Sequence, residues 1–463
     1  MDLLDAVARH ARHRGDRPAI VHDGRTTDYR TLADRVSALV AGFRARGRRP
    51  GERVGIATYS GTIGAELYLA AQAAGLQPAM LSLSLKPRLP EITDALGITE
   101  VIADGTFADL AAAPEDGTDW ARGRGADVVS AIQFTAGSTG VPKAVVRTVG
   151  CDVADAWHRS WSYRCGEADR WVVASPFNLS VLSGAARSMF LFGGTLLLMD
   201  AFSVEALDEI GAGGVTILPL QAPQWRAVLA AGAAETLVRR GLRTAVATGQ
   251  LMQQRFLHEL AGALAPHAGV VLNYGTSEAG SIAVDRSGQP RFGEPFRVGA
   301  PTPTLDVRVT ASGGIEVRGE SVAPGYLHEL AADPAAPILH AARAQGSWFD
   351  TGDVGAWAED GALQVFGRAA DAIEVAGRTI LPVTVEERLR GLPGVADAVL
   401  TPAMTVLIEP SPGTTAASPA ELLDAVLPCP YQIRYVERLP RTPAGKTDRV
   451  AAAQLHTTPE RTL

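Results

Sequence analysis

Nine consecutive residues, Thr135-Ala136-Gly137-Ser138-Thr139-Gly140-Val141-Pro142-Lys143, put two glycines, three hydroxyls and a lysine in one short stretch. Glycines let successive backbone N–H groups turn toward a common point, and hydroxyl and ammonium donors add to that cradle. A polyphosphate needs this chemistry. The spacing is not that of the GTPase P-loop, because the fifth residue after Gly137 is Pro142 where the GxxxxGK pattern has glycine. Taken alone, the stretch reads equally as a phosphate cradle or as a plain Gly/Ser/Thr surface loop.

Lysine usage sharpens the reading. Of 43 basic residues three are lysine: Lys86, Lys143 and Lys446. Arginine serves elsewhere, so the retained lysines mark places where a planar guanidinium fork cannot replace a compact ammonium. Lys143 closes the loop above, and Lys446 closes Leu439-Pro440-Arg441-Thr442-Pro443-Ala444-Gly445-Lys446.

These stretches resemble motifs of the adenylate-forming superfamily, which includes acyl-CoA synthetases, adenylation domains of peptide synthetases and luciferases. The 135–143 segment resembles its phosphate-binding loop. Asn273-Tyr274-Gly275-Thr276-Ser277-Glu278 resembles its YGxTE element, with Ser277 in place of Thr. Gly314-Ile315-Glu316-Val317-Arg318-Gly319, ending at Pro324-Gly325-Tyr326, resembles GExxxRG…GY, and Phe349-Asp350-Thr351-Gly352-Asp353 resembles the TGD element. Gly367-Arg368 through Gly377-Arg378 resembles the hinge motif, and residues 439–446 the terminal PxTxxGK. The six signatures keep the superfamily's order, and residues 29–51 and 78–85 are also family-like, so the resemblance covers nearly the whole chain.

The resemblance implies roles residue by residue. Thr135, Gly137, Ser138, Thr139, Gly140 and Lys143 would hold the β- and γ-phosphates of ATP, with Asn273, Tyr274 and Gly275 at the nucleotide and Tyr274 stacked on adenine. Ser277 would meet the α-phosphate. Glu278 would hold Mg²⁺, a hard cation that takes one or two carboxylates plus phosphates. Asp353, in a tight turn, would accept the ribose hydroxyls with help from Arg368. Lys446 would reach the carboxylate and the α-phosphate as charge builds there. Read without the resemblance, Tyr274 is also a core residue beside a strand, and Glu278 a solvated one. Gly377 and Arg378 would line the thiol-acceptor tunnel.

The acid pocket would take Phe177, Asn178, Leu179 and Ser183 from residues 176–184, together with Gly249. Asn178 falls where aryl-acid-activating members carry an Asn that touches the acid; a loop-capping Asn178 is the other reading. Three departures stand out: Ala370 where the hinge is usually acidic, Glu374 where Lys is common, and a shortened segment at residues 403–409.

Positioning such a site requires an α/β frame. Apolar residues at helical spacing predict helices over 32–46, 65–74, 184–191 and 204–210. Short apolar runs predict strands at 53–57, 101–103, 128–134, 170–174, 195–199, 215–218 and 270–273, the last leading into a Gly/Ser loop. This βαβ alternation implies mostly parallel sheets. From residue 293 Gly and Pro become dense, and short strands at 306–309, 314–317 and 362–366 suggest a small antiparallel barrel or sheet. Helices at 385–390 and 421–426, with strands at 396–400, 405–408 and 435–436, predict a small α+β lid. The expected architecture is an N-terminal domain of two mostly parallel sheets plus the barrel (1–367), a hinge at 367–371, and a lid domain (371–463).

Bulk properties bound the function. A net charge of −7 with no basic block argues against nucleic acid. No targeting segment or membrane span is read, and Cys151, Cys165 and Cys429 fit buried apolar thiols in a reducing cytoplasm. There is no GxSxG and no histidine cluster for hydrolase chemistry. The expectation is an ATP- and Mg²⁺-dependent acid–thiol ligase acting on a small carboxylic acid, with coenzyme A as acceptor. The alternatives are a carrier-protein phosphopantetheine as acceptor, or a non-catalytic descendant that only binds nucleotide or acid.

Overall fold

Five successive parallel pairings, Pro18–His22 with Thr195–Leu198, then Arg170–Val173, Ile217–Leu220, Thr244–Ala247 and Gly269–Thr276, build the centre of the protein. The structure is a computed structural model describing residues 1–81, 88–110, 120, 123–134, 143–174, 180–248, 254–286, 297–327, 346–411, 413–441 and 447–455. Beyond Gly269–Thr276 the pairing turns antiparallel through Gly280–Asp285, Arg297–Pro301, Leu363–Arg368, Phe349–Trp357, Gly314–Gly319 and Leu305–Val309. The strands expected to form a separate barrel are therefore bonded in one line with the parallel ones, in a sheet of 13 described strands. Arg308 and Arg318 stack on the Trp348 ring at 4.3 and 4.6 Å, tying the two outermost strands to the start of Phe349–Trp357.

A second sheet runs Gly325–Leu327, Ala144–Thr148, Val129–Phe134, Gln77–Met80, Arg53–Ala57 and Ile98–Ala103. Its inner pairings are parallel and its Ala144–Thr148 edge is antiparallel. The chain leaves the large sheet after Gly319 and joins the second at Gly325, so residues 320–324 stitch the two together.

Helix positions follow the apolar spacing, while several starts lie upstream of the expected ones because polar caps precede the apolar stripe. The helix expected over 32–46 is Tyr29–Ala45, opened by the Asp28 carboxylate accepting from Thr31 N at 2.7 Å. The one expected over 65–74 is Gly61–Ala73, capped by Ser60. Among the described residues no helix is long and apolar enough to cross a membrane. Cys151 is buried, whereas Cys165 and Cys429 are half-buried rather than core residues. Burial pushes the Cys165 thiol well above its ordinary range, which disfavours the thiolate.

Residues beyond Arg368 pack on one another. Ile373, Val385, Leu389, Ala398, Val406, Ile408 and Leu423 share an apolar cluster drawn from the strands Val395–Leu400 and Thr405–Pro410 and the helices Pro382–Arg390 and Ala420–Val426.

A buried ionic cluster occupies the space behind the second sheet. Arg147, with no exposed surface, sends Nε to Asp152 Oδ1 at 3.0 Å. Arg187 on Ser180–Phe192 and Arg159 on Val149–Tyr163 both bond Asp155 Oδ2 at 3.0 Å. Tyr68 and Ser130 donate to Asp152 Oδ2 at 3.2 and 2.6 Å. Burial alone would raise the Asp155 carboxyl, but Arg159, Arg187 and Arg147 overcome it and hold the group far below the usual carboxylate range.

This shift fixes an acid limit. A carboxyl depressed on folding stabilises the fold fully above its unfolded value, about pH 4, and that stabilisation is lost as pH falls toward the folded value. The urea midpoint should therefore stay level from pH 8 to about pH 5 and fall below it. Asp155→Asn should lower stability at pH 7 by about 3–5 kcal/mol, since it leaves buried guanidiniums without their carboxylate, and should flatten the acid limb. An unchanged acid limb in the variant would assign the effect to other groups.

Candidate active site

Asn273 ends the strand expected over 270–273, and that strand, Gly269–Thr276, runs on through Tyr274 and Gly275, where a Gly/Ser loop was expected. The strand continues because its neighbour Gly280–Asp285 pairs with it up to Thr276–Gly280, with one bulge at Tyr274/Gly275. Ser277, Glu278 and Ala279 form the tip of this hairpin. Gly275 is required by the tightness of the approach: a Cβ there would stand 2.2 Å from Gly280 O. The Ser281 hydroxyl is hydrogen-bonded to Asn273 Oδ1 across the pair.

Two polar groups form around this hairpin. In the first, Tyr326 Oη donates to Glu278 Oε1 at 2.8 Å, and Lys143 Nζ lies 5.3 Å from the centre of the Tyr326 ring. The local cause is register. Tyr326 pairs with Val145 and Leu327 with Ala144, so Tyr326 sits at the end of the strand that Lys143 precedes. Glu278 O also accepts from Ala323 N at 2.6 Å, tying the hairpin tip to the segment that crosses between sheets.

In the second group, Tyr274 Oη donates to Asp353 Oδ2 at 2.5 Å, and Arg368 Nε meets Asp353 Oδ1 at 2.9 Å. Asp353 was expected in a tight turn. It lies in the strand Phe349–Trp357, paired with Arg368 across from Leu363–Arg368. Side chains stiffen the stretch: Asp350 accepts from Gly352 N at 2.8 Å, Thr351 Oγ1 accepts from Asp353 N at 3.1 Å and donates to Ile315 O at 2.9 Å. Arg368 also reaches Thr351 O at 3.1 Å. Burial raises the Asp353 carboxyl above its ordinary value, against the pull of Arg368. Burial, followed by the Asp353 charge, pushes the Tyr274 phenol well above its own. The phenol therefore stays a hydrogen-bond donor, with the carboxylate as its acceptor.

Gly377 and Arg378 lie apart from both groups, on the hairpin Ile373–Val375/Arg378–Ile380, whose two-residue turn has Ala376 at φ 49° and Gly377 at φ 71°. No hydrogen bond or ion pair among the described residues joins Arg378 to Glu278 or Asp353. Thr135, Gly137, Ser138, Thr139, Gly140, Phe177, Asn178, Leu179, Gly249 and Lys446 lie outside the described residues, as does the Ser183 side chain. The stem that carries Lys446 is described. Arg441 bridges to Thr447, and both contact Asp397 Oδ2, at 2.8 and 3.2 Å. Arg390 holds the other oxygen of that carboxylate at 2.6 Å.

Sequence reading missed Arg147 and Thr351, and it left Tyr326 without a role. Tyr326 was legible as part of the GY signature. Arg147 carries no local signal, because only the fold brings its partners together.

Comparison with known proteins places this geometry. The AMP-binding enzyme family matches residues 7–113 and 91–327. A 2-succinylbenzoate–CoA ligase of Bacillus velezensis is 31% identical over 284 residues, 59% of this chain and 55% of the relative, so the match spans about half that relative's length. A fatty acid–acyl-carrier-protein ligase of Streptomyces coeruleorubidus is 26% identical over 507 residues, 96% of this chain and 94% of the relative. The solved o-succinylbenzoate CoA synthetase of Bacillus subtilis, in complex with its acyl-adenylate intermediate, has the same fold, with a TM-score of 0.80 at 21% identity over 99% of each chain. With the family matching well over half its length, this chain belongs to the AMP-binding enzymes.

Proposed function

We propose that this chain uses ATP to convert a small carboxylic acid to its acyl-adenylate and then transfers the acyl group to a thiol, with coenzyme A as the favoured acceptor. The supporting observation is the meeting of Glu278, Tyr326 and Lys143, which come from three separate stretches, beside a strand whose Tyr274 is tied to Asp353 and Arg368.

The donor set fits a Mg·ATP complex. A carboxylate held by a phenol and a nearby ammonium offers one hard oxygen ligand and one cation for phosphates. Mg²⁺ bound at Glu278 would neutralise phosphate charge. Lys143 would pair with the terminal phosphates and Ser277 would meet the α-phosphate. Asp353 would accept from the ribose hydroxyls, and Tyr274 would offer its ring to adenine. A carboxylate oxygen of the acid attacks the α-phosphorus, the bond to the bridging oxygen breaks, and pyrophosphate leaves. Lys446, on a stem pinned to Asp397, would stabilise charge on both reacting groups. In the second step a thiolate attacks the acyl carbon and AMP leaves. Residues beyond the 367–371 hinge would act as a lid that presents Lys446 first and the Arg378 hairpin afterward.

The acid is read as aryl. The Bacillus velezensis relative carries 2-succinylbenzoate in its name, and Asn178 falls at the aryl-acid position. Carrier-protein loading is the second reading, favoured by the carrier-protein ligase aligned over nearly the whole chain.

Acid-dependent ATP–pyrophosphate exchange tests the first step. Salicylate or anthranilate should exceed benzoate, and octanoate should be poor, because a site that bonds a polar substituent rejects analogues lacking it. No exchange with any acid would refute the ligase, and octanoate outranking every aryl acid would refute the aryl reading. Coenzyme A should then discharge the adenylate with a saturable rate, and failure at millimolar coenzyme A would favour the carrier protein.

Lys446→Ala should cut adenylation by about 10²-fold or more and largely spare thioester formation from supplied acyl-adenylate. Equal losses in both half-reactions would exclude a lid that swings Lys446 away. Glu278→Gln should raise the Mg²⁺ needed for half-maximal exchange while leaving circular dichroism unchanged, since an amide is a poorer ligand for a hard dication. An unshifted metal titration would remove Glu278 from the metal site.

A further inference from the structure

The hairpin tip at Ser277 and Glu278 is gripped from below at both ends. Arg147 Nη1 points at three carbonyls, Ser277 O and Glu278 O at 3.4 Å and Ser321 O at 3.3 Å, while Nη2 donates to Cys151 O at 3.0 Å. From the other side, Asp155 Oδ1 accepts from Ser281 N at 3.1 Å. Gly280, at φ 71°, leaves room for this carboxylate; a Cβ there would stand 2.2 Å from Asp155 Oδ1. Arg147 has no exposed surface and Asp155 has none. Their bonds to the tip go to its backbone, at Ser277 O, Glu278 O and Ser281 N, not to the Glu278 carboxylate.

We infer that Arg147, backed by Asp155, is a positioning residue for the Glu278 carboxylate, setting the height of the hairpin tip against Tyr326 and Lys143. The inference rests on the reading of Glu278 as the metal-binding carboxylate. The physical reason lies in the three carbonyls. Ser277 and Glu278 belong to the large sheet's hairpin, Ser321 to the crossing segment that leads to Tyr326, and Arg147 itself to the strand that follows Lys143. One guanidinium thus references the metal carboxylate, its phenol partner and the end of the phosphate loop to a common point. A fork with five fixed donors can do this, and a single ammonium cannot. The same contacts explain why a fully buried arginine is retained inside a strand: its charge is met by Asp152, and its remaining donors by backbone oxygens.

The test compares wild type with Arg147→Lys, which keeps the charge and loses the fork. ATP binding is measured calorimetrically across a Mg²⁺ series without acid, and pyrophosphate exchange is measured with acid. In the folded variant the Mg²⁺ midpoint for ATP binding should rise about fivefold or more. Exchange kcat should fall about 10- to 100-fold, the scale of a misplaced reacting group, with the KM for the acid within about twofold. A purely structural role would lower the melting temperature and leave the Mg²⁺ midpoint in place, which would overturn the inference. If Arg147→Lys does not fold, Gly280→Ala strains the same tip from the Asp155 side. A raised Mg²⁺ midpoint there supports the inference; a wild-type midpoint, or a second failure to fold, overturns it. A wild-type chain that binds Mg·ATP yet exchanges no pyrophosphate would refute the proposed reaction and leave the binding comparison valid.

Discussion

Five charges buried together constrain everything else in this protein. Arg147 and Arg187, both buried, and the half-buried Arg159 share the buried carboxylates of Asp152 and Asp155. Removing one partner from such a group leaves an uncompensated charge, which costs far more than the intact group contributes. The cluster therefore has one workable arrangement, and that arrangement fixes what touches it: two helices, the Ala144–Thr148 strand, the segment crossing between the sheets, and the hairpin carrying Ser277 and Glu278.

A parallel arrangement recurs beyond Arg368, where Arg390 and Arg441 meet on Asp397, and Arg449 meets Glu386 at 2.8 Å. In both places arginine forks do the structural holding. This gives the skewed basic composition a physical sense. Flat, multidentate cations are spent on carboxylates and carbonyls inside the protein, and two of three lysines stand in the loops read as meeting phosphate.

The parts of the fold legible in sequence were those written in local periodicity. Strand 53–57 and helix 204–210 coincide with Arg53–Ala57 and Val204–Ile210. Two misreadings share one cause, which is that glycine was taken as a sign of a loop. Gly275 and Gly352 lie within strands, one because a neighbouring carbonyl leaves no room for a side chain, the other at a kink held by Asp350 and Thr351. The union of the antiparallel strands with the parallel ones was illegible because pairing between Gly280–Asp285 and Arg297–Pro301 depends on partners, not on pattern. Motif order singled out Tyr274, Glu278, Asp353 and Arg368, which the structure brings into two polar groups, while Arg147 escaped because its partners lie up to 174 positions away.

The large sheet also has a history written into its order. Pro18–His22 is made well before its inner neighbour Thr195–Leu198, with Ile20 opposite Leu196. At a synthesis rate of about 5–20 residues per second, the early hairpin with Arg25–Asp28 waits roughly 10–35 seconds for that neighbour. During the wait its apolar edge, Ala19 to Val21, offers unpaired backbone groups to any passing strand. Slow translation of residues 29–198 thus lengthens the exposure of this edge. In the folded protein this edge is paired with Thr195–Leu198, so the surface most open to mispairing during synthesis is one that the folded molecule no longer presents.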